Sequence, residues 1–176
     1  MELLETMKRR RSIRTFNQKP IPEESLKKII QAGLLAPTSM NRKPCEFYVI
    51  KDQETKNKLT RAKKAGANFL AQADCVIAVL ADAKKADTWV EDSSIALSYM
   101  MLMATNLHVA SCWCQMHLRK NILNKNAEEI VRKILHANED LRCVGLLALG
   151  MSDENPKAYK LEDLDYHQVH YEKSSH

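Results

Sequence analysis

Residues 75–81 read CVIAVLA. Seven apolar residues in succession, three of them β-branched, predict a strand with no polar face, so that helices must cover it on both sides. A second run of the same kind, residues 143–149 (CVGLLAL), ends at Gly150. Two further strands are expected at residues 46–51 (EFYVIK) and 110–116 (ASCWCQM). Between them the apolar spacing turns helical. Leu3, Leu4 and Met7 mark a short helix over residues 2–9. Pro22, Glu23 and Glu24 open another that carries Leu26, Ile29, Ile30 and Leu34 and stops at Pro37. Residues 55–64 predict an exposed, charged helix and residues 124–135 an amphipathic one. Residues 91–107 are apolar nearly all round, through Ile95, Leu97, Met100, Met101, Leu102, Met103 and Leu107, as in a core or a subunit interface. Strands and helices interleave, which gives an α+β or α/β protein of three layers.

The length of 176 residues suits one domain over residues 1–176, and the polar tail from 151 to 176 is too short for a second. With 45% hydrophobic and 28% charged residues the chain is not disordered. The net charge of +5 is spread along it and only 6% of residues are aromatic, which argues against a dedicated nucleic-acid binder. Residues 93–118 lack Asp, Glu, Lys and Arg, yet Ser98, Thr105, Asn106, His108, Ser111, Gln115 and His117 make the segment too polar to span a bilayer. Five cysteines are too few for a disulfide scaffold, and residues 1–11 lack the apolar core of a signal peptide, so a cytoplasmic protein with reduced thiols is expected.

Absent motifs narrow the chemistry. There is no GxGxxG, P-loop, HExxH, GxSxG or CxxC pair. With four glycines in the whole chain, a phosphate must be held by side chains. The segment MKRRRSIRTF, Met7 to Phe16, offers them. If it is extended, Arg10, Ser12 and Arg14 share one face and form a clamp of two guanidiniums and a hydroxyl, while Arg11 turns away. The alternative is a solvated basic patch. Cys112, Cys114 and His117 are spaced like metal ligands but lack a second pair, so buried strand cysteines and no metal site are expected. A cysteine nucleophile stays open at this level.

In their order along the chain, RRSIRTF, IPEESLKKIIQAGLLAPTSMNRKPCEFYVI, ADCVIAVLAD, EDSSIALSYMMLMATNLHVASCW and CVGLLALGMSDENPKAYKLEDLDYHQVHYEK resemble the flavin-dependent nitroreductase family. The resemblance implies a three-layer α+β fold whose central, mostly antiparallel sheet is flanked by helices, with a C-terminal tail reaching the partner subunit. It implies a homodimer that binds FMN at its interface and takes NAD(P)H as co-substrate. By the resemblance, Arg10, Arg11, Ser12 and Arg14 hold the flavin phosphate and pyrimidine edge, and Lys160 of the tail completes that grip. Pro37, Thr38, Ser39 and Asn41 reach the partner's flavin. Trp113, Cys114, Gln115 and Met116 lie along the isoalloxazine and offer a backbone N–H to its N5, and Asn68 sits near the pyrimidine. The implied reaction is hydride transfer from NAD(P)H to nitroaromatics or quinones by a ping-pong mechanism, with no obligatory catalytic side chain. The chain departs from the family pattern at Lys43, Cys45, His108, Ala110 and either Gln115 or Met116. Only residues 82–92 join the middle strand to the long helix, which leaves no room for a lid. A nucleic-acid module built on the arginine cluster and a catalytically idle flavin binder are the rival readings.

Overall fold

The computed structural model describes residues 2–172. Its elements run α1 (Leu3–Arg9), α2 (Glu23–Leu34), β1 (Cys45–Ile50), α3 (Gln53–Leu59), β2 (Cys75–Asp82), α4 (Trp89–Asn106), β3 (Ala110–Gln115), α5 (Ala127–Ile134) and β4 (Leu141–Gly150). The four strands form one sheet in the order β1-β2-β4-β3, every pair antiparallel. Residues 75–81 sit in the middle of it, and each is fully buried. Alternate side chains of β2 enter two separate cores. Cys75, Ile77 and Val79 pack with Ile29, Leu97 and Met100 of α2 and α4. Val76, Ala78 and Leu80 pack on the opposite side with Leu59 of α3 and Val131 of α5. Both faces being apolar is what the unbroken run of residues 75–81 encodes, and each fully buried aliphatic side chain contributes about 2 kcal/mol.

Helix ends follow local chemistry. Asp52 caps α3 by accepting from the Thr55 N–H at 2.8 Å, and Asn126 caps α5 by accepting from the Glu128 N–H at 2.8 Å. Pro22 precedes α2, as expected for a residue whose missing N–H costs nothing there.

One expectation needs correction and a second is refined. The charged helix placed at residues 55–64 is shorter, stopping at Leu59, and it is not wholly exposed. Lys56 is buried, and its ammonium donates to the Ala73 carbonyl at 2.6 Å, tying α3 to the segment before β2. The long helix is not buried all round within one chain. Its Leu97, Met100 and Ala104 are enclosed, whereas Ile95, Met101, Leu102 and Met103 are half-buried and Tyr99 is exposed. Beside this face lies an open apolar groove of about 430 Å³ bounded by Leu3, Met7, Tyr99, Leu102 and Met103.

β3 is an edge strand, and the N-terminal segment docks on its start. The Ile13 N–H donates to the Ser111 carbonyl at 3.0 Å, forming a parallel bridge between Ser12 and Ser111. Two glycines of β4 make room beside it. A methyl group at Gly145 would lie 2.5 Å from the Trp113 indole nitrogen, and one at Gly150 2.7 Å from the Phe16 ring. Among the described residues no helix is long and apolar enough to cross a membrane.

Candidate functional site

The extended segment after α1 alternates as its sequence predicts. Arg11 points to one side, where its guanidinium donates to the Lys157 carbonyl at 2.7 Å and lies 4.8 Å from the centre of the Tyr159 ring. With Arg9 and Ile13 it lines an open cavity of about 560 Å³ against residues 152–158. Arg10, Ser12 and Arg14 face the other way, towards Cys112 and Cys114 of β3. Burial pushes the Cys112 thiol up; the charges of Arg14, Lys63 and Arg10 and the Ser12 hydroxyl pull the other way. Burial likewise raises Cys114, opposed by the charge and hydrogen bond of Lys63.

Lys63 is the member of this face that sequence reasoning missed. It lies in a turn after α3, with its ammonium 3.8 Å from where a Gly66 side chain would start, and Gly66 accepts from the Cys114 thiol at 3.7 Å. A lone lysine in a run of charged residues carries no local mark; only the fold carries it to the edge of β3. Asn68 is exposed and is one residue from this face along the chain. It opens the helical turn Asn68–Ala71, and the ring of its neighbour Phe69 lies 5.9 Å beneath the Arg14 guanidinium. Among the described residues, none of Arg10, Arg14 and Lys63 has a carboxylate within ion-pair distance. Three cations held together without an anion form a ready site for a phosphate or another polyanion.

The strand beside them supplies a second kind of donor. Because the Ser111 carbonyl points outward to Ile13, two-residue alternation turns the backbone groups of Trp113 and Gln115 outward as well. No strand covers that edge beyond Ser111 among the described residues. The Trp113 indole donates to Gln115 Oε1 at 2.9 Å, which steadies the exposed stretch. Met116 departs from expectation: its side chain is fully buried and its N–H donates to the Val144 carbonyl at 2.9 Å, leaving Gln115 as the residue whose N–H faces the edge. The Cys114 side chain is buried too, and by the same alternation its N–H and carbonyl turn inward to β4, so it offers the edge no donor.

The loop of Pro37, Thr38, Ser39 and Asn41 lies elsewhere. The Ser39 N–H donates to Asp92 Oδ1 at 2.9 Å in the first turn of α4, and Thr38 Oγ1 accepts from the Lys43 N–H at 3.0 Å. Met40, Asn41 and Lys43 have positive φ, so the loop is tightly wound. The arginine segment sits at the opposite end of α4, where Thr6 meets Asn106. The helix between Asp92 and Asn106 is roughly 21 Å long at the standard rise. The loop and the arginine face therefore cannot grip one ligand within one chain. Lys160 is not brought to the arginine face either; it is exposed and paired with Glu162 at 3.0 Å.

The thiols do not support a nucleophile. Burial raises Cys45, Cys112 and Cys114, raises Cys75 to about 11, and raises Cys143 further still. A cysteine attacks as its thiolate, the form that burial disfavours at all five. Cys112, Cys114 and His117 do not converge as ligands: both thiols enter the core of α3 and α5, while His117 pairs with Glu128.

A three-layer α+β fold with a cationic face on an open sheet edge suits an anionic ligand, and similarity to known chains narrows the class. The Nitroreductase family matches over residues 7–67 and 56–151, and the chain belongs to this family. A protein of Archaeoglobus fulgidus named as an NADH dehydrogenase/NAD(P)H nitroreductase is 30% identical over 98% of both chains. An FMN-dependent nitroreductase from Clostridium difficile superposes with a TM-score of 0.93 at 38% identity, over 97% of this chain and 99% of that one. The NADPH:FMN oxidoreductase of Vibrio harveyi, solved with NAD+, shares the fold at 22% identity with a TM-score of 0.80, over 99% of this chain and 78% of that one.

Proposed function

We propose that this chain is an FMN-dependent oxidoreductase that passes hydride from NAD(P)H to nitroaromatic or quinone-type acceptors in ping-pong order. The observation that carries the reading is the meeting of Arg10, Ser12, Arg14 and Lys63, without a protein anion, beside the uncovered edge of β3. Those donors fit FMN: guanidiniums and an ammonium for the phosphate and pyrimidine oxygens, Asn68 at their border, and the outward N–H of Gln115 for the ring. Bound there, FMN supplies the hydride chemistry. The chain's own groups position it, and their positive charge favours added negative charge on the pyrimidine. Family membership and the likeness to an FMN-dependent nitroreductase support the same reading.

The functional unit is a homodimer in the cytoplasm, each subunit a single domain. The half-exposed Met101, Leu102 and Met103 and the apolar groove beside them suit a subunit contact. Two copies also resolve the separation within one chain, since the Pro37–Asn41 loop and the tail with Lys160 then serve the partner's flavin. The test is an absorbance spectrum of the purified protein with added FMN, followed by anaerobic NADH or NADPH. Retained flavin absorbance that bleaches with either nucleotide is expected; a protein that stays colourless after reconstitution sinks the reading.

A further inference from the structure

At the far end of β3 from Ser12 lies a polar cluster that the flavin reading does not use. Its centre is Glu128, in the first turn of α5 and only 2% exposed. Glu128 Oε2 accepts from Arg142 Nε at 2.9 Å, and Oε1 lies 2.8 Å from His117 Nδ1. Trp89 of α4 closes the group. Its ring meets the imidazole edge-on at 4.9 Å between centres, and the Arg142 guanidinium lies 5.1 Å from its centre. A carboxylate against Nδ1 makes that nitrogen a donor and fixes how the ring points. Nε2 has no protein partner among the described residues, and none of their buried side-chain nitrogens or oxygens lacks one. Nε2 therefore reaches solvent.

The position of this ring along the chain matters as much as its orientation. His117 lies two residues beyond Gln115, a span of about 7 Å at full extension. The Gln115 amide, itself held by Trp113, donates to the His117 carbonyl at 3.2 Å, and the His117 N–H shares the Val144 carbonyl with Met116. The His117 backbone is thus held next to the edge on which the proposed flavin ring lies, and Glu128 and Trp89 hold its ring.

We propose that His117, held by Glu128, is the acid that protonates the acceptor in the second half of the cycle; this rests on the flavin reading above. A quinone takes a hydride at one oxygen and the Nε2 proton of the imidazolium at the other. Hydroquinone forms, and the neutral imidazole regains its proton from water. The charged groups facing the ring are Glu128 of α5 and, through it, Arg142 of β4. α4 presents the uncharged Trp89 indole, and Arg119 and Lys120 follow on the same segment.

Anaerobic stopped-flow measurement of the FMN-loaded protein separates reduction by NADH or NADPH from reoxidation by 1,4-naphthoquinone. In His117→Gln, which keeps a donor for Glu128, the ratio of reoxidation to reduction rate should fall about 100-fold. If Nε2 supplies the proton, reoxidation of the wild type should slow as pH rises, and His117→Gln should lose that slope. An unchanged ratio and profile would overturn the proposal. A second measurement needs no turnover: carbethoxylation of the FMN-loaded wild type without reductant, read by peptide mapping. His117 should react, and 4-nitrobenzoate should protect it; a His117 that is unreactive or unprotected overturns the proposal. A wild type that never bleaches with reduced nucleotide sinks the flavin reading and this inference together, whereas normal bleaching with a normal His117→Gln variant sinks this one alone.

Discussion

Along β3 from Ser111 to Cys114, Arg10, Arg14 and Lys63 gather with no carboxylate among them; beyond its end, Arg142 and His117 close around Glu128. Both clusters bring basic side chains to the rim of one sheet. They differ in where the compensating charge resides. Glu128 is an anion supplied by the chain and already buried, so its cluster ties α5 to β3 and β4. The arginine face lacks its anion and adds mutual repulsion to the folded state, an arrangement that gains stability only when a ligand brings the missing charge.

The sharpest way to break this contrast is to remove Glu128. Glu128→Ala leaves Arg142 and His117 facing an empty, buried position and should lower unfolding stability by about 3 kcal/mol, measured by urea titration. The figure is held to the low end because the Arg142 side chain is 44% exposed. The double variant Arg10→Ala, Arg14→Ala should do the reverse. Each charge-assisted hydrogen bond contributes about 1.5 kcal/mol or more, so FMN affinity should fall at least ~100-fold by fluorescence titration. The flavin-free protein should keep or raise its melting temperature. A loss of apo stability would show that the arginines serve the fold after all.

Cys75, buried in the core beneath α2 and α4, gives a smaller and independent measure. Its thiol is raised from 9.0 to about 11, chiefly by burial. The unfolded chain loses this proton first as pH rises, so the contribution to stability is intact below pH 9 and disappears as pH climbs to about 11. Relative to Cys75→Ala, the wild type should lose about 2 kcal/mol across that window in pH-dependent denaturation. The smallest effect belongs to Glu54→Ala. This carboxylate pairs with Lys58 at 2.7 Å on the open surface of α3, where water and salt screen the attraction. No measurable change in melting temperature is expected, which sets the baseline for a pair with neither burial nor a ligand.

Much of this architecture is legible in the residues. The unbroken apolar runs at 75–81 and 143–149 encode central strands because a strand covered on both faces has no reason to alternate. The direction of Arg10, Ser12 and Arg14 follows from the two-residue repeat of an extended chain, and so does the turning away of Arg11. What escapes the sequence is whatever depends on contacts between distant segments. Lys63 joins the site only because the turn after α3 folds onto β3. Lys56, in a helix that reads as charged and exposed, is buried because the Ala73 carbonyl waits 17 residues away. Met116 reads as part of the edge, but the strand has already turned inward there to bond Val144. His108 stands where the family pattern has glycine and holds φ at 58°, so the backbone keeps a glycine-like bend at a position whose side chain conceals it.

The packing of Trp113 across Gly145 has an optical consequence. The chain contains two tryptophans, Trp113 on the open edge of β3 and Trp89 against His117 and Arg142. Trp113, bonded to Gln115, therefore reports on the sheet edge, and Trp89 reports on the Glu128 cluster. With Trp113→Phe, emission comes from Trp89 alone and follows protonation of the neighbouring imidazole; with Trp89→Phe, it comes from Trp113 and follows occupancy of the edge by a chromophore. Two single substitutions thus turn one protein into separate light-emitting gauges for proton and ligand.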